Sequence, residues 1–316
     1  MWGRPAVEVS TVVIATERHS TTSGGTWGLR EGDEIAPGRT ALQHLGTSRT
    51  HDVYVAFDDD LLGVVAAKVL RRDRVGDDDA RAALESEGRL LSSLQHPALP
   101  RCFDGATEGE RPHLALELIE GPRLSTLIRR QGSLGPEQIL PLALQLASAV
   151  HFLHRRGLVH LDVKPKNVVM APSPKLIDLS IATTRERALG LQGPIGTDAY
   201  MAPEQCGVPG WGAIGPAADV WGIGVTLYEA ASGQLPFGRS HRDGSSTERF
   251  PQLAGRHALL PRDVPANLAT AIDAALKPRS QDRPTAAEIA GSLGTDFERL
   301  PRRLLLGKAR VSWRRR

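Results

Sequence analysis

Two carboxylates and an amide lie close together in one short stretch of the sequence. The stretch reads His160-Leu161-Asp162-Val163-Lys164-Pro165-Lys166-Asn167, and Lys175-Leu176-Ile177-Asp178-Leu179-Ser180 follows it. Asp162 could accept the proton of an incoming hydroxyl group, whereas Asn167 and Asp178 could bind Mg²⁺ through their oxygen atoms. Lys164 could offset the negative charge on a phosphate in transfer. Residues of these types at this spacing indicate phosphoryl transfer.

This spacing resembles the catalytic loop and the metal-binding motif of eukaryotic-like protein kinases. Further landmarks of that family follow in the expected order within residues 38–295: Val65-Ala66-Ala67-Lys68, Glu87 ahead of His96-Pro97, Ala202-Pro203-Glu204, Asp219-Val220-Trp221-Gly222-Ile223-Gly224 and Asp282-Arg283-Pro284-Thr285. The pattern Asp162-x-Lys164 is similar to that of serine/threonine kinases. The Arg-rich and Ala-rich composition resembles bacterial, actinobacterial-type members. Small-molecule kinases of the aminoglycoside type share the first motif but lack Ala-Pro-Glu and the Asp219 helix.

The resemblance implies a role for each residue of the site. Asp162 and Lys164 would be the catalytic residues, the first as base and the second steadying the phosphate. Lys68 would hold the α- and β-phosphates of ATP, and Glu87 would orient it. The implied ATP-binding residues are Gly46, Val53, Lys68, Glu87, Glu117, Ile119, Asn167 and Asp178, of which Asn167 and Asp178 would also bind Mg²⁺. The implied cofactors are therefore ATP and Mg²⁺, and the implied substrate is a Ser or Thr of a protein.

Three motifs depart from the family's pattern. The glycine-rich loop reads Gly46-Thr47-Ser48-Arg49-Thr50-His51-Asp52-Val53, with Ser48 and His51 where the family has glycine. Glycine lets backbone amides approach phosphates closely, so we expect a weaker phosphate cradle. Leu161 stands in place of the Arg before the catalytic Asp, and Asp178-Leu179-Ser180 in place of Asp-Phe-Gly. These departures leave an alternative open: a pseudokinase that acts as a nucleotide-binding or protein-interaction scaffold.

The activation segment lacks the usual site of control. In many family members the Arg at the position of Leu161 pairs with a phosphorylated Thr or Ser. Residues 185–196 contain no Ser, Thr or Tyr, while Thr183 and Thr184 lie too close to Asp178 to fill the usual position. The resemblance implies that Thr197 hydrogen-bonds Asp162 and Lys164. We therefore expect activity that does not depend on phosphorylation of this segment, which packing alone would hold.

The elements that must position these residues form an α+β chain of two unequal lobes. Strands are predicted at 7–15, 53–57, 64–70, 101–107 and 113–118, and helices at 80–94, 136–156, 216–232, 266–276 and 285–293. Strands first and helices afterwards fit a bilobal, protein-kinase-like fold. The predicted parts are an N-terminal extension (1–36), a kinase domain (37–295, with lobes at about 37–118 and 122–295) and a basic C-terminal tail (296–316).

Composition excludes several protein classes. The chain has 316 residues, of which 41% are hydrophobic and 24% charged, enough for a sizeable core. Cys102 and Cys206 are too few for a disulfide framework, no transmembrane segment or signal peptide is visible, and a cytoplasmic location is expected. Residues 296–316 contain eight basic and two acidic residues. This tail is a candidate contact with an anionic membrane surface or an acidic partner, although a disordered solubilising tail fits it equally well.

Overall fold

The first six strands of the described residues form one antiparallel sheet. The computed structural model describes residues 25–241 and 243–294. The strands of this sheet are β1 (Glu34–Ala36), β2 (Arg39–Thr47), β3 (His51–Asp58), β4 (Gly63–Leu70), β5 (Cys102–Ala106) and β6 (His113–Glu117), in the order β1-β2-β3-β4-β6-β5. Helix α1 (Asp78–Ser93) packs on this sheet through Leu84, which is buried in a cluster with Leu70 and Leu114.

Two runs of aspartate shape the connections of this lobe. Asp58 ends β3, and its carboxylate accepts hydrogen bonds from the backbone N–H groups of Asp60 and Leu61 at 3.1 and 2.9 Å, which closes the turn to β4. Asp77 caps α1 by accepting the N–H of Ala80 at 3.1 Å. Short acidic side chains favour both positions because they satisfy backbone donors that the turn or helix leaves unpaired.

The second lobe is built mainly of helices. They are α2 (Leu124–Gln131), α3 (Pro136–Arg155), α4 (Arg185–Leu189), α5 (Pro216–Ser232), α6 (Ser246–Arg249), α7 (Ala266–Ala275) and α8 (Ala286–Ser292). Two short ribbons accompany them: β7 (Leu158–Val159) pairs with β10 (Thr183–Thr184), and β8 (Val168–Val169) pairs with β9 (Lys175–Leu176). Helix α5 is buried along most of its length, as expected for a helix that is apolar on all sides.

The predicted α+β fold with two unequal lobes is confirmed. Where a strand or helix was predicted within the described residues, its bounds agree with the structure to within about two residues, and α5 has the predicted limits. Strands β1 and β2 were not predicted. The strand predicted at 7–15 and the basic tail lie outside the described residues. Within 25–241 and 243–294, no helix has both the length and the apolar character that a membrane span requires.

The end of the predicted N-terminal extension packs against the small lobe. Strand β1 lies inside residues 1–36 and pairs with β2. The indole N–H of Trp27 donates to the carbonyl of Leu70 at 2.8 Å, and the Trp27 backbone N–H donates to the carboxylate of Asp52 at 3.3 Å. Trp27 and Leu29 cover the sheet face opposite α1, where Tyr54 is buried. An apolar sheet face needs such a cover, and residues 27–36 supply part of it.

Candidate active site

A buried lysine of the small lobe contacts two carboxylates, one in its own lobe and one in the second lobe. Lys68 lies in β4, and its Nζ atom is 2.6 Å from Oε2 of Glu87 in α1 and 2.9 Å from Oδ1 of Asp178. Burial disfavours the charge on Lys68, but the charges of Asp178 and Glu87 outweigh burial and raise its pKa. Burial also opposes the charge on Asp178, yet Lys68 lowers the pKa of that carboxyl. The pKa of Glu87 is raised because burial dominates there. Because these contacts already fix the Lys68 side chain, its conformation need not change when it binds the phosphates of a nucleotide.

The proposed base sits in a compact set of hydrogen bonds. Lys164 Nζ donates to Oδ2 of Asp162 and, at 2.6 Å, to the hydroxyl of Thr197. That hydroxyl donates to Oδ1 of Asp162 at 2.8 Å, so the predicted contacts of Thr197 are confirmed. The side-chain amide of Asn167 donates to the carbonyl and to Oδ2 of Asp162 at 3.0 and 3.1 Å. Three donors thus fix the carboxylate at one orientation.

The two predicted Mg²⁺ ligands lie on adjoining loops. The backbone N–H of Ile177, next to Asp178, donates to the carbonyl of Asn167 at 2.8 Å. Because the amide nitrogen of Asn167 faces Asp162, its Oδ1 atom is the one available to a metal. No cluster of three or more His, Cys, Asp or Glu that could hold a metal occurs among the described residues. One carboxylate, one amide oxygen and substrate phosphates are a donor set that suits Mg²⁺, which keeps few protein ligands.

The loop between β2 and β3 is closed by its own side chain. The hydroxyl of Ser48 accepts the backbone N–H groups of Thr50 and His51 at 3.3 and 3.0 Å, and the N–H of Ser48 donates to the carbonyl of His51 at 2.7 Å. Three amides of this loop are therefore already engaged. His51 is buried in the position of a glycine, and its Nε2 atom has no hydrogen-bond partner among the described residues. Burial and then the charge of Lys68 lower the pKa of His51 to about 3.

The strip that should bind adenine follows strand β6. The N–H of Glu117 donates to the carbonyl of Arg101 at 2.8 Å, and its carboxylate pairs with Lys175 at 2.7 Å. The side chain of Glu117 therefore holds the two lobes together, and only its carbonyl is left for a nucleotide. The backbone of Ile119 makes no hydrogen bond to any residue of the described chain, so its N–H and carbonyl are available to a flat ligand edge. Gly46 and Val53 lie opposite each other on β2 and β3.

The backbone of the catalytic loop is hydrogen-bonded to Asp219 of α5. Its carboxylate accepts the N–H groups of His160 and Leu161 at 2.9 and 2.7 Å. This holds Leu161 at φ +66°, a left-handed conformation that costs a branched residue free energy. The end of the activation segment is fastened by a fully buried ion pair between Glu204 and Arg283, 2.7 Å apart. Landmarks that lie far apart in sequence thus contact each other: Asp219 bonds the catalytic loop, and Arg283 bonds the end of the activation segment.

A family model described as "Protein kinase domain" matches residues 39–292. The chain belongs to the protein kinase family. The serine/threonine-protein kinase PkaA of Streptomyces coelicolor is 36% identical over 238 residues, which are 72% of this chain and 42% of that protein. PknA of Mycobacterium tuberculosis, also named a serine/threonine-protein kinase, is 33% identical over 253 residues (76% and 56%). PknL of the same organism is 30% identical over 271 residues (84% and 66%).

These similarities confirm the predicted resemblance to bacterial, actinobacterial-type serine/threonine kinases. They give no support to the pseudokinase alternative, because these relatives are named as serine/threonine-protein kinases. The chain spans about half the length of the first curated relatives it matches.

Direct contacts join Lys68 to Glu87 and Asp178, and Asp162 to Lys164 and Asn167. Sequence reasoning missed two features of the site. The Ser48 cap on the loop amides was not foreseen, although a serine three residues before the partner carbonyl is a common turn signal. Gln205, which directly follows Ala202-Pro203-Glu204, was not predicted to have a role. Its side chain is buried between the activation segment and the catalytic loop.

Proposed function

We propose that this kinase domain transfers the γ-phosphate of ATP to a Ser or Thr hydroxyl of a protein. The observation that carries the proposal is the position of Asp162. Its carboxylate is oriented by Lys164 and Thr197. Asn167, which also bonds Asp162, accepts the backbone N–H of Ile177, and the neighbouring Asp178 pairs with Lys68. A base, a fixed cation and metal-binding oxygens together are what phosphoryl transfer needs from a protein.

Each residue has a distinct part in the proposed reaction. The acceptor hydroxyl approaches Asp162, which takes its proton as the oxygen attacks the γ-phosphorus of ATP. The bond between that phosphorus and the β–γ bridging oxygen breaks, and ADP leaves with the bonding electron pair. Lys164 lies beside Asp162 and balances charge on the phosphoryl group, while Lys68, held by Glu87, positions the other phosphates. When bound through Asn167 and Asp178, Mg²⁺ supplies further compensation of the phosphate charge. These groups are already oriented before negative charge develops on the phosphoryl group in the transition state. They therefore need not reorient during the reaction, and this lowers the barrier.

The protein substrate is proposed to bind in the cavity in front of Asp162. Its walls come from the β2–β3 loop, the catalytic loop, the end of the activation segment and the stretch after α5, and the lining residues used here are Arg49, Asp162, Thr197, Leu235 and Arg239. A serine or threonine side chain entering this cavity meets the catalytic carboxylate directly. Leu235 gives the wall an apolar part for a neighbouring side chain of the substrate.

The decisive experiment is phosphotransfer by the purified protein. With Mg²⁺ and γ-labelled ATP, the protein should label itself or a generic basic protein such as myelin basic protein, on Ser or Thr. The matched control is Asp162→Asn, which keeps the size of the side chain. The proposed function is contradicted if the unsubstituted protein transfers no label, or if the Asp162→Asn variant transfers as much label as the unsubstituted protein.

The tail, residues 296–316, is proposed to contact an anionic membrane surface or an acidic partner, and the kinase domain to work in the cytoplasm. The charge of the tail supports the contact with an anionic surface or partner. The two free cysteines of the described chain, Cys102 and Cys206, support the cytoplasm as the compartment. Basic residues near an anionic surface contribute about 1 kcal/mol each. Co-sedimentation with phosphatidylserine vesicles should therefore be strong and salt-sensitive for the full chain, and weak for a chain ending at Thr295. Equal sedimentation of the two chains contradicts the membrane contact.

A further inference from the structure

The activation segment lies in an ordered position without the charged pair that holds it in many kinases. Leu161 cannot bind a phosphate, and residues 185–196 offer no hydroxyl to phosphorylate. The segment nevertheless reaches the catalytic loop, because Thr197 contacts both Asp162 and Lys164. Some other group must hold the backbone before Thr197 in place.

Gln205 is that group in the structure. Its side-chain amide donates to the carbonyl of Leu161 in the catalytic loop at 2.9 Å and to the carbonyl of Ile195 in the activation segment at 2.8 Å. Its Oε1 atom accepts the backbone N–H of Ala202 at 3.1 Å. The backbone of Gln205 pairs with the same segment, since its carbonyl accepts the N–H of Ile195 at 3.2 Å. Gln205 is 2% exposed, so water does not compete for these bonds.

The two carbonyls that Gln205 joins flank backbone positions with little freedom. Gly196 has φ +117°, and a Cβ atom there would lie 2.9 Å from the carbonyl oxygen of Leu161. Leu161 itself is left-handed and is held by Asp219. The segment can therefore approach the catalytic loop closely only at this glycine, and the amide of Gln205 fixes the approach from the side.

We propose that Gln205 is a positioning residue that takes the place of the pair between an Arg and a phosphorylated Thr or Ser. Its amide permanently joins the activation segment to the catalytic loop and so places Thr197 against Asp162 and Lys164. The inference rests on the proposed kinase function and concerns the regulation of the same site. An uncharged amide does this without modification, because each of its two N–H groups meets a carbonyl. The segment is then held by specific hydrogen bonds and not by packing alone.

The test compares three single variants. Gln205→Met keeps the length of the side chain and removes its hydrogen bonds, and Gln205→Glu places a carboxyl group against two carbonyls. Gln252→Met is the matched control, because the amide of Gln252 is also 2% exposed and also donates to two carbonyls, those of Asp198 and Met201, but does not reach the catalytic loop. Peptide kinetics, ATP affinity and thermal stability are measured for each variant.

For both Gln205 variants we expect kcat to fall at least ten-fold, about 1.4 kcal/mol in barrier terms, with the Kd for ATP within two-fold of the unsubstituted protein. Gln252→Met should lose similar thermal stability but less than three-fold in kcat. Trypsin should cut the exposed Arg185 and Arg187 of the activation segment at least five-fold faster in the Gln205 variants than in Gln252→Met.

Equal loss of kcat in the Gln205 and Gln252 variants, or equal rates of tryptic cutting, would overturn the inference and leave Gln205 with a purely structural part. Full activity of both Gln205 variants would overturn it as well. The proposed function fails separately, if the unsubstituted protein transfers no phosphate. Because the tryptic cutting does not depend on activity, it tests the Gln205 tie even in that case.

Discussion

Replacing Lys68 by Met tests whether the charged contacts of the cleft also stabilise the fold. The substitution keeps an unbranched apolar stem and removes the ammonium group that bonds Glu87 at 2.6 Å and Asp178 at 2.9 Å. Two carboxylates are then left facing each other without a cation. The cost of such a change is dominated by the charge that stays buried and unpaired, not by the bond that is lost.

Glu87 decides the magnitude, because its side chain is 1% exposed whereas that of Asp178 is 37% exposed. Breaking a buried ion pair by removing one partner costs about 3–5 kcal/mol. Glu87 retains one donor, the N–H of Leu179 at 3.2 Å, and water reaches Asp178, so we expect a loss of about 3 kcal/mol in the free energy of unfolding. In a domain of this size that loss lowers Tm by about 6–12 °C.

The loss should depend on pH in a definite direction. Without Lys68 the folded-state pKa values of Glu87 and Asp178 lie above their unfolded values. Such groups contribute stability below the unfolded pKa and lose it as the pH rises through the folded pKa. The pKa of His51, which burial and Lys68 lower to about 3, should rise in the variant and act in the same direction. The deficit in Tm is therefore expected to be larger at pH 8 than at pH 5.

The assay is thermal unfolding without nucleotide at both pH values, with Lys175→Met as control. Lys175 pairs with Glu117 at 2.7 Å, but both side chains keep some contact with water, and Glu117 retains the N–H of Arg101 at 3.2 Å. We expect a loss of at most about 1 kcal/mol there, as for a partly exposed pair. If Lys68→Met loses no more than this control, or if its deficit does not change between pH 5 and 8, the reasoning is refuted.

Three further outcomes follow from the site. Asp162→Asn should abolish phosphotransfer while the Kd for ATP changes less than about two-fold, because the nucleotide contacts remain; turnover above a hundredth of the original would contradict its role as base. Restoring glycine at Ser48 and His51 together should lower the Kd for ATP, measured by calorimetry, because the two loop amides that donate to the Ser48 hydroxyl are freed; an unchanged Kd and kcat would show that the loop is not limiting. The double variant Thr183→Ala, Thr184→Ala and phosphatase-treated protein should both keep their activity, and a loss of ten-fold or more in either would contradict independence from phosphorylation.

The fold could be predicted well because its signals are local. The β-branched run around Val64–Leu70 and the apolar stretch of α5 mark a strand and a buried helix by composition alone. The aspartates at 58 and 77 mark a turn and a helix start through bonds to backbone a few residues away. The cover that Trp27 places on the small lobe was missed, because its partners, Asp52 and Leu70, lie on strands well beyond the reach of local patterns.

The site shows the same division between side-chain and backbone partners. Lys68, Glu87 and Asp178 could be named in advance because they stand in sequence motifs that resemble those of the protein kinase family. The bonds of Gln205 run to the carbonyls of Leu161 and Ile195, which every residue type carries, so nothing in the sequence marks the other end. What the sequence did show was the missing charged pair. An activation segment that lacks the pair between an Arg and a phosphorylated residue must be held by other contacts, and uncharged hydrogen bonds can provide them. Buried side-chain amides next to glycine-containing loops are where such contacts should be sought.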